Sequence, residues 1–166
     1  MFEEYSFVFD IDGTLCPIKK KDEKYEDLVP YKEMVEKMRF YHDNGAKIVL
    51  FTSRNMNSYN GNMGLINKNT AKILSVWLDK WDIPYDEILY GKPWPGHKGF
   101  YVDDRTVRPD EFLKYNVDEL NEICRNSKCD WKCYAMGLKQ LIQRIIYPTR
   151  YSSEALIRHI RLGGAK

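Results

Sequence analysis

Two carboxylates stand one residue apart at the end of an apolar run, in Phe9-Asp10-Ile11-Asp12-Gly13-Thr14-Leu15, and no other feature restricts the fold as strongly. Residues 5–9 read as a short buried strand. The end of a buried strand is a costly place for two like charges, because each raises the energy of the other. A divalent cation and a phosphoryl group together would relieve that repulsion. The chain therefore needs an architecture that brings complementary polar groups to the same strand end.

The remaining pattern supplies one. Pro30 opens a helical stretch with Met34, Val35, Met38 and Tyr41 on one stripe, and Asn44-Gly45 closes it. Residues 47–51 read as a second buried strand. Ile66, Ile73, Leu74, Trp77, Leu78 and Trp81 recur at helical spacing before Pro84. Residues 87–90 and 99–102 read as two further strands. Strand–helix alternation of this kind predicts an α/β fold, a Rossmann-like three-layer sandwich with a parallel sheet. Right-handed crossovers would then bring every strand end to one edge, where ligands bind. At those predicted ends stand Asp10 and Asp12, Thr52-Ser53-Arg54, Gly91-Lys92 and Asp103-Asp104-Arg105. Any one of them could be a solvated loop residue, but four such groups at four strand ends argue for a site.

After Thr106 the pattern changes to helices. Residues 117–124 read as a short helix, Leu138, Leu141, Ile142, Ile145 and Ile146 form an amphipathic stripe, and residues 155–162 form a last helical stretch. The expected organisation is a catalytic core over 1–115 and a helical C-terminal extension over 116–166. The extension would pack on the core or form a homodimer interface.

At 166 residues the chain suits one domain with a sizeable core. Its net charge of +2 gives no support to a global polyanion-binding role, although the stretch after Leu138 is locally basic. No run approaches bilayer-spanning length. The acidic start Met1-Phe2-Glu3-Glu4 lacks the positive flank of a signal peptide. A cytoplasmic location without a membrane partner is expected, with Cys16, Cys124, Cys129 and Cys133 as reduced thiols. The last three lack CxxC spacing and a nearby His, which favours packed thiols over a zinc site.

The ordered set FDIDGTL, FTSR, the lysine of YGKPW, and YVDD resembles the four motifs of the haloacid dehalogenase superfamily, over about the first 105 residues. The resemblance implies a Mg2+-dependent phosphatase acting through an aspartyl-phosphate. It makes Asp10 the nucleophile and Asp12 the general acid and base, with the Asp12 carbonyl a magnesium ligand. Thr52 and the Ser53 amide would contact phosphoryl oxygens, and Lys92 would neutralise charge. Asp10 and Asp103 would bind magnesium, supported by Asp104. The superfamily's dehalogenases lack an acid at the Asp12 position, so phosphoryl transfer to water is the implied reaction.

Neither gap between motifs has room for a folded cap domain, which predicts an open cleft for a small phosphorylated metabolite. The loop after the second motif, with Arg54, Asn55 and Asn60, and Trp94 in YGKPW are candidate substrate contacts. Asn and Gly there are equally ordinary turn residues. FTSRNM, the following Tyr59-Asn60-Gly61, YGKPW and YVDDR resemble the small capless phosphatases of capsular and surface polysaccharide biosynthesis. That resemblance implies a sugar phosphate or sugar-derived precursor as substrate. The alternatives are a nucleotide or nucleic-acid end phosphatase, disfavoured by the lack of a basic track toward the motifs, and a non-enzymatic assembly or regulatory module, disfavoured by the intact motifs.

Overall fold

The computed structural model describes residues 1–126. The predicted helices at 138–146 and 155–162, together with Cys129 and Cys133, lie outside the described residues. Residues 1–103 and 107–120 form one compact unit, and residues 104–106 and 121–126 belong to a second. No helix among the described residues is long and apolar enough to cross a membrane.

The chain is α/β. Strand β1 (Ser6–Phe9) is followed by a 3-10 turn (Tyr25–Asp27), helix α1 (Lys32–Asp43) and strand β2 (Lys47–Thr52). Helix α2 (Met63–Ile66) runs through a π-helical turn (Asn67–Ala71) into α3 (Lys72–Lys80), and β3 (Glu87–Tyr90) follows. Two short helices, α4 (Pro109–Lys114) and α5 (Val117–Asn126), complete the described chain. The three strands are parallel in the order β1-β2-β3. Phe9 pairs with Leu50, and Thr52 with Tyr90, so the C-terminal ends of all three lie along one edge.

The local reasons are legible residue by residue. Met34, Val35, Met38 and Tyr41 fall on one helical stripe and are all buried. The helix then stops because Gly45 takes φ +98°, a conformation open to glycine at little cost. The Gly45 amide bonds the His42 carbonyl at 3.0 Å and the Ala46 amide bonds that of Tyr41 at 3.0 Å, a Schellman closure. β2 is the central strand, and its Ile48 and Leu50 are fully buried.

Aromatic rings fill the space between α1 and the sheet. Phe112 lies 5.0 Å from Phe9, 5.9 Å from Phe7 and 5.9 Å from Tyr41. Phe112 comes from α4, a helix the hydrophobic pattern does not predict. Its start carries other signals: Pro109 opens it, and the Glu111 carboxylate accepts the Arg108 amide at 2.9 Å. Lys37 of α1 fastens the other end, donating to the Tyr115 carbonyl at 2.6 Å.

One expectation is corrected. Residues 99–102 are not a strand, and among the described residues the sheet has three strands. Tyr101 folds back on the preceding loop, where its hydroxyl donates to the Pro93 carbonyl and its ring lies 4.5 Å from the Lys92 ammonium. Phe100 and Val102, which a central strand would bury, are 79% and 88% exposed. Among the described residues the two crossover helices supply one layer against the sheet. Both crossovers run in the same direction across the sheet, so the right-handed rule places α1 and α3 on one face. Val8 and Leu89, on the opposite face, stay 61% and 47% exposed.

Phe112 should therefore be a structural keystone for the α1 face. Phe112→Ala is expected to lower stability by about 3 kcal/mol in a urea titration, as for other buried Phe→Ala changes. A loss below about 1 kcal/mol would show that α4 is not part of the core.

Candidate active site

The first motif is held by its own turn. Ile11 and Leu15 are completely buried and anchor it. The Leu15 amide bonds the Ile11 carbonyl at 2.9 Å, and the Gly13 amide bonds that of Cys16 at 2.7 Å. Gly13 sits at φ +89°, and a Cβ there would press on Ile18 at 3.3 Å. This turn delivers Asp10 and Asp12 to the sheet edge on different sides of the chain.

Asp10 meets Lys92. The Lys92 amide bonds the Thr52 carbonyl at 3.1 Å, which carries the β2–β3 pairing past Tyr90. Lys92 Nζ then lies 3.2 Å from Asp10 Oδ1, with only 16% and 26% of the two side chains exposed. Burial pushes the Asp10 carboxyl above its ordinary range, and the neighbouring Asp12 adds to the rise. The charge and hydrogen bond of Lys92 and the Ile11 amide offset only part of it. Thr52 is 1% exposed, and its Oγ1 accepts the Arg54 amide at 3.0 Å, leaving its O–H to donate elsewhere.

Asp12 has a different partner. Arg54 donates Nε to one Asp12 oxygen at 3.0 Å and Nη2 to the other at 2.8 Å. The Arg54 side chain is 1% exposed and that of Asp12 22%. Burial works against the guanidinium charge, and Asp12 more than restores it. The Tyr25 ring lies 4.2 Å from the guanidinium carbon. Burial pushes the adjacent Cys16 thiol up to about 11, so it stays uncharged at neutral pH and is no nucleophile.

A cavity of about 180 Å³ opens beside Asp12 and Arg54, bounded by Tyr25, Ser53, Asn55 and Trp94. Of the candidate substrate residues, Ser53, Arg54, Asn55 and Trp94 line it, and Asn60 does not. Asn60 serves its turn instead, at φ +49°. Asn55 is itself held by a hydrogen bond from Nδ2 to Thr70 Oγ1 at 2.8 Å. Lys19 and Tyr25 also line the cavity, and the sequence alone did not single them out. Their signal is position: the charged loop after the first motif has to pass the mouth of the site.

Among the described residues no three His, Cys, Asp or Glu gather closely enough to hold a metal. Asp12 commits both side-chain oxygens to Arg54, whereas the ligand atom the resemblance implies is its backbone carbonyl, and Asp103 and Asp104 stand exposed on the segment after Lys92. Ligand chemistry still fits magnesium at Asp10, a hard oxygen donor whose charge burial leaves under-compensated.

This chain resembles one solved protein closely. A crystal structure of a structural-genomics target from Vibrio cholerae shares 46% sequence identity with it and superposes at a TM-score of 0.70. The match covers 75% of this chain and 99% of the other. The chain belongs to the same family as that Vibrio cholerae protein. No protein-family model matches the chain, and no curated protein matches it.

Two stability effects follow from the geometry. Arg54→Met leaves Asp12 without either hydrogen bond in a largely buried setting, and should cost about 2–3 kcal/mol. The double variant Asp12→Asn, Arg54→Met should recover part of the loss in a double-mutant cycle, and strict additivity would show that the pair is not coupled. Asp10 acts in the opposite sense. Its folded-state affinity for a proton exceeds that of the unfolded chain, so its stabilising contribution is complete below the unfolded value near pH ~4 and is lost as pH rises through the folded value. Asp10→Asn should therefore raise the thermal midpoint at pH 7, by an amount equivalent to about 1 kcal/mol, and the gain should vanish at acidic pH. A lower midpoint at pH 7 would refute this.

Proposed function

We propose that this protein is a phosphatase of the haloacid dehalogenase superfamily, hydrolysing a phosphate monoester of a sugar or sugar-derived precursor. One observation carries the reading: a desolvated carboxylate, Asp10, faces a lysine ammonium at the C-terminal edge of a parallel sheet, with the Thr52 hydroxyl on the next strand. That is the combination an anionic electrophile needs, a nucleophile stripped of water and preorganised positive charge around it.

The steps follow from the chain's own groups. An Asp10 oxygen attacks phosphorus in line, forming the acyl-phosphate bond as the bond to the substrate oxygen breaks. Asp12 gives its proton to that oxygen, and the alcohol leaves. Asp12 then takes a proton from a water that attacks the same phosphorus, which releases inorganic phosphate and restores the Asp10 carboxylate. Lys92 and Thr52 stabilise the phosphoryl oxygens throughout. Arg54 fixes Asp12 through both of its carboxylate oxygens, and so acts as a positioning residue. Asp10 and Asp103 would hold magnesium, which would shield the nucleophile from the negative charge of the phosphate.

The motif resemblance and the open cavity beside Asp12 support a bulky polar leaving group. The test is phosphate release from a panel of sugar phosphates, nucleotides, 3′- and 5′-phosphorylated oligonucleotides and p-nitrophenyl phosphate, with Mg2+ and with EDTA. Release should require Mg2+ and fall by at least about 10³-fold in Asp10→Asn, in line with loss of a nucleophile. Undiminished activity in Asp10→Asn would exclude the covalent mechanism, and a preference for oligonucleotides would point to a nucleic-acid substrate.

A further inference from the structure

The cavity beside Asp12 holds three cationic or anionic groups, and their charges do not cancel. Asp12 and Arg54 neutralise one another through two hydrogen bonds. Lys19 is the remainder. Its ammonium donates to the carbonyls of Lys20 at 2.7 Å and Glu23 at 3.0 Å, and it lies 5.6 Å from the Tyr25 ring. None of the ion pairs among the described residues includes it. Glu23, whose carbonyl accepts from Lys19, turns its carboxylate to Lys20, whose amide it accepts at 2.8 Å.

Unused donors point the same way. An ammonium has three N–H groups, and Lys19 commits two. A guanidinium has five in a planar fork, and Arg54 turns one edge to Asp12. Its Nη1, on the other edge, is buried with no hydrogen-bond partner, in a residue only 3% exposed. A buried cation with an empty donor is expensive unless a ligand fills it. The rest of the lining is neutral and hydrogen-bonding, with Ser53, Asn55, Asn57 and Ser58, and the half-exposed Trp94 ring stands at its edge. The volume, about 180 Å³, is slightly larger than a cavity of about 150 Å³ that accepts one benzene. It suits a single six-membered ring.

We propose that this cavity receives the leaving group of the phosphatase reaction, and that the leaving group is a sugar acid whose carboxylate is bound by Lys19 and the free edge of Arg54. The inference rests on the phosphatase reading and narrows it from phosphorylated sugars in general to phosphorylated sugar acids. Hydroxyls of the ring meet Ser53 and the Asn side chains, and the carboxylate supplies the negative charge the cavity lacks.

Matched substrates test it with the full chain and Mg2+: glucose 1-phosphate against glucuronate 1-phosphate, and glucitol 6-phosphate against gluconate 6-phosphate, with p-nitrophenyl phosphate as a reference. In at least one pair the acid should have a kcat/KM higher by about tenfold or more. Lys19→Gln, which keeps an N–H donor for the backbone carbonyls but removes the charge, should bring that ratio close to one, and Lys19→Arg should keep most of it. Ratios near one in both pairs, or a preference that survives Lys19→Gln, would overturn the proposal. If even p-nitrophenyl phosphate is not hydrolysed, the phosphatase reading is what fails. Quenching of Trp fluorescence in Asp10→Asn by the same pairs then decides the cavity's ligand, equal affinity for acid and neutral partners counting against it.

Discussion

A single buried ion pair ties the site together. Arg54 leaves the end of β2 and reaches the end of β1, where its fork closes on both oxygens of Asp12. A guanidinium is costly to bury, and this one is accommodated by three kinds of contact at once. Asp12 supplies the charge, the Tyr25 ring covers one side at 4.2 Å, and the Trp77 ring lies 5.9 Å away. Trp77 is in turn fixed by its indole N–H on the Leu28 carbonyl at 2.7 Å. The 3-10 turn, α3 and two strand ends are thus arranged around one side chain. Lysine could not substitute, because a point charge cannot grip two oxygens in a plane.

The pair also separates two carboxylates that the sequence places side by side. Asp12 is held at two points and kept from rotating. Asp10 has one cation at 3.2 Å and a desolvated setting that disfavours its charge. Fixed orientation is what a group that must aim a proton requires. A poorly solvated, lightly restrained oxygen is what a nucleophile requires. Two identical side chains acquire different chemistry from their neighbours alone. The arrangement holds Asp10 in a form that costs stability at neutral pH, a familiar exchange at reactive sites.

Much of this was legible in the chain. Strands β1, β2 and β3 and helix α1 follow from short apolar runs and a clean helical stripe, and Gly45 marks its stop. The approach of Lys92 to Asp10 follows from both lying one or two residues past a strand end. Three things were not legible, for separate reasons. Residues 99–102 have strand composition, but strand formation needs a neighbouring ladder, and Tyr101 is drawn instead to the Pro93 carbonyl and Lys92. Helix α4 is too short for a periodic signal, and its evidence lies in Pro109 and Glu111. The roles of Lys19 and Tyr25 depend on a loop crossing the cavity, which no local pattern encodes.

Arg54 was the instructive case. Its place after the second motif made it a candidate substrate contact, and it does line the cavity, but it is 3% exposed and most of its donors serve the protein. The loop that follows shows the same preference for internal order. Asn55 takes φ +63°, an uncommon conformation for any residue with a side chain, though Asn tolerates it better than most. Its amide is anchored on Thr70, in the π-helical turn that interrupts the helix between Ile66 and Lys72. Asn62 caps α2 by accepting the Leu65 amide at 3.1 Å. Asn residues that looked available for a ligand are therefore partly spent on fixing the loop. What remains free at the cavity, Ser53, Asn57 and Ser58, is presented from a rigid frame, and the ordering of that frame is met in folding and not at the moment of binding. A site built this way selects by shape and by the few donors left over, and those here include a charged one, Arg54 Nη1.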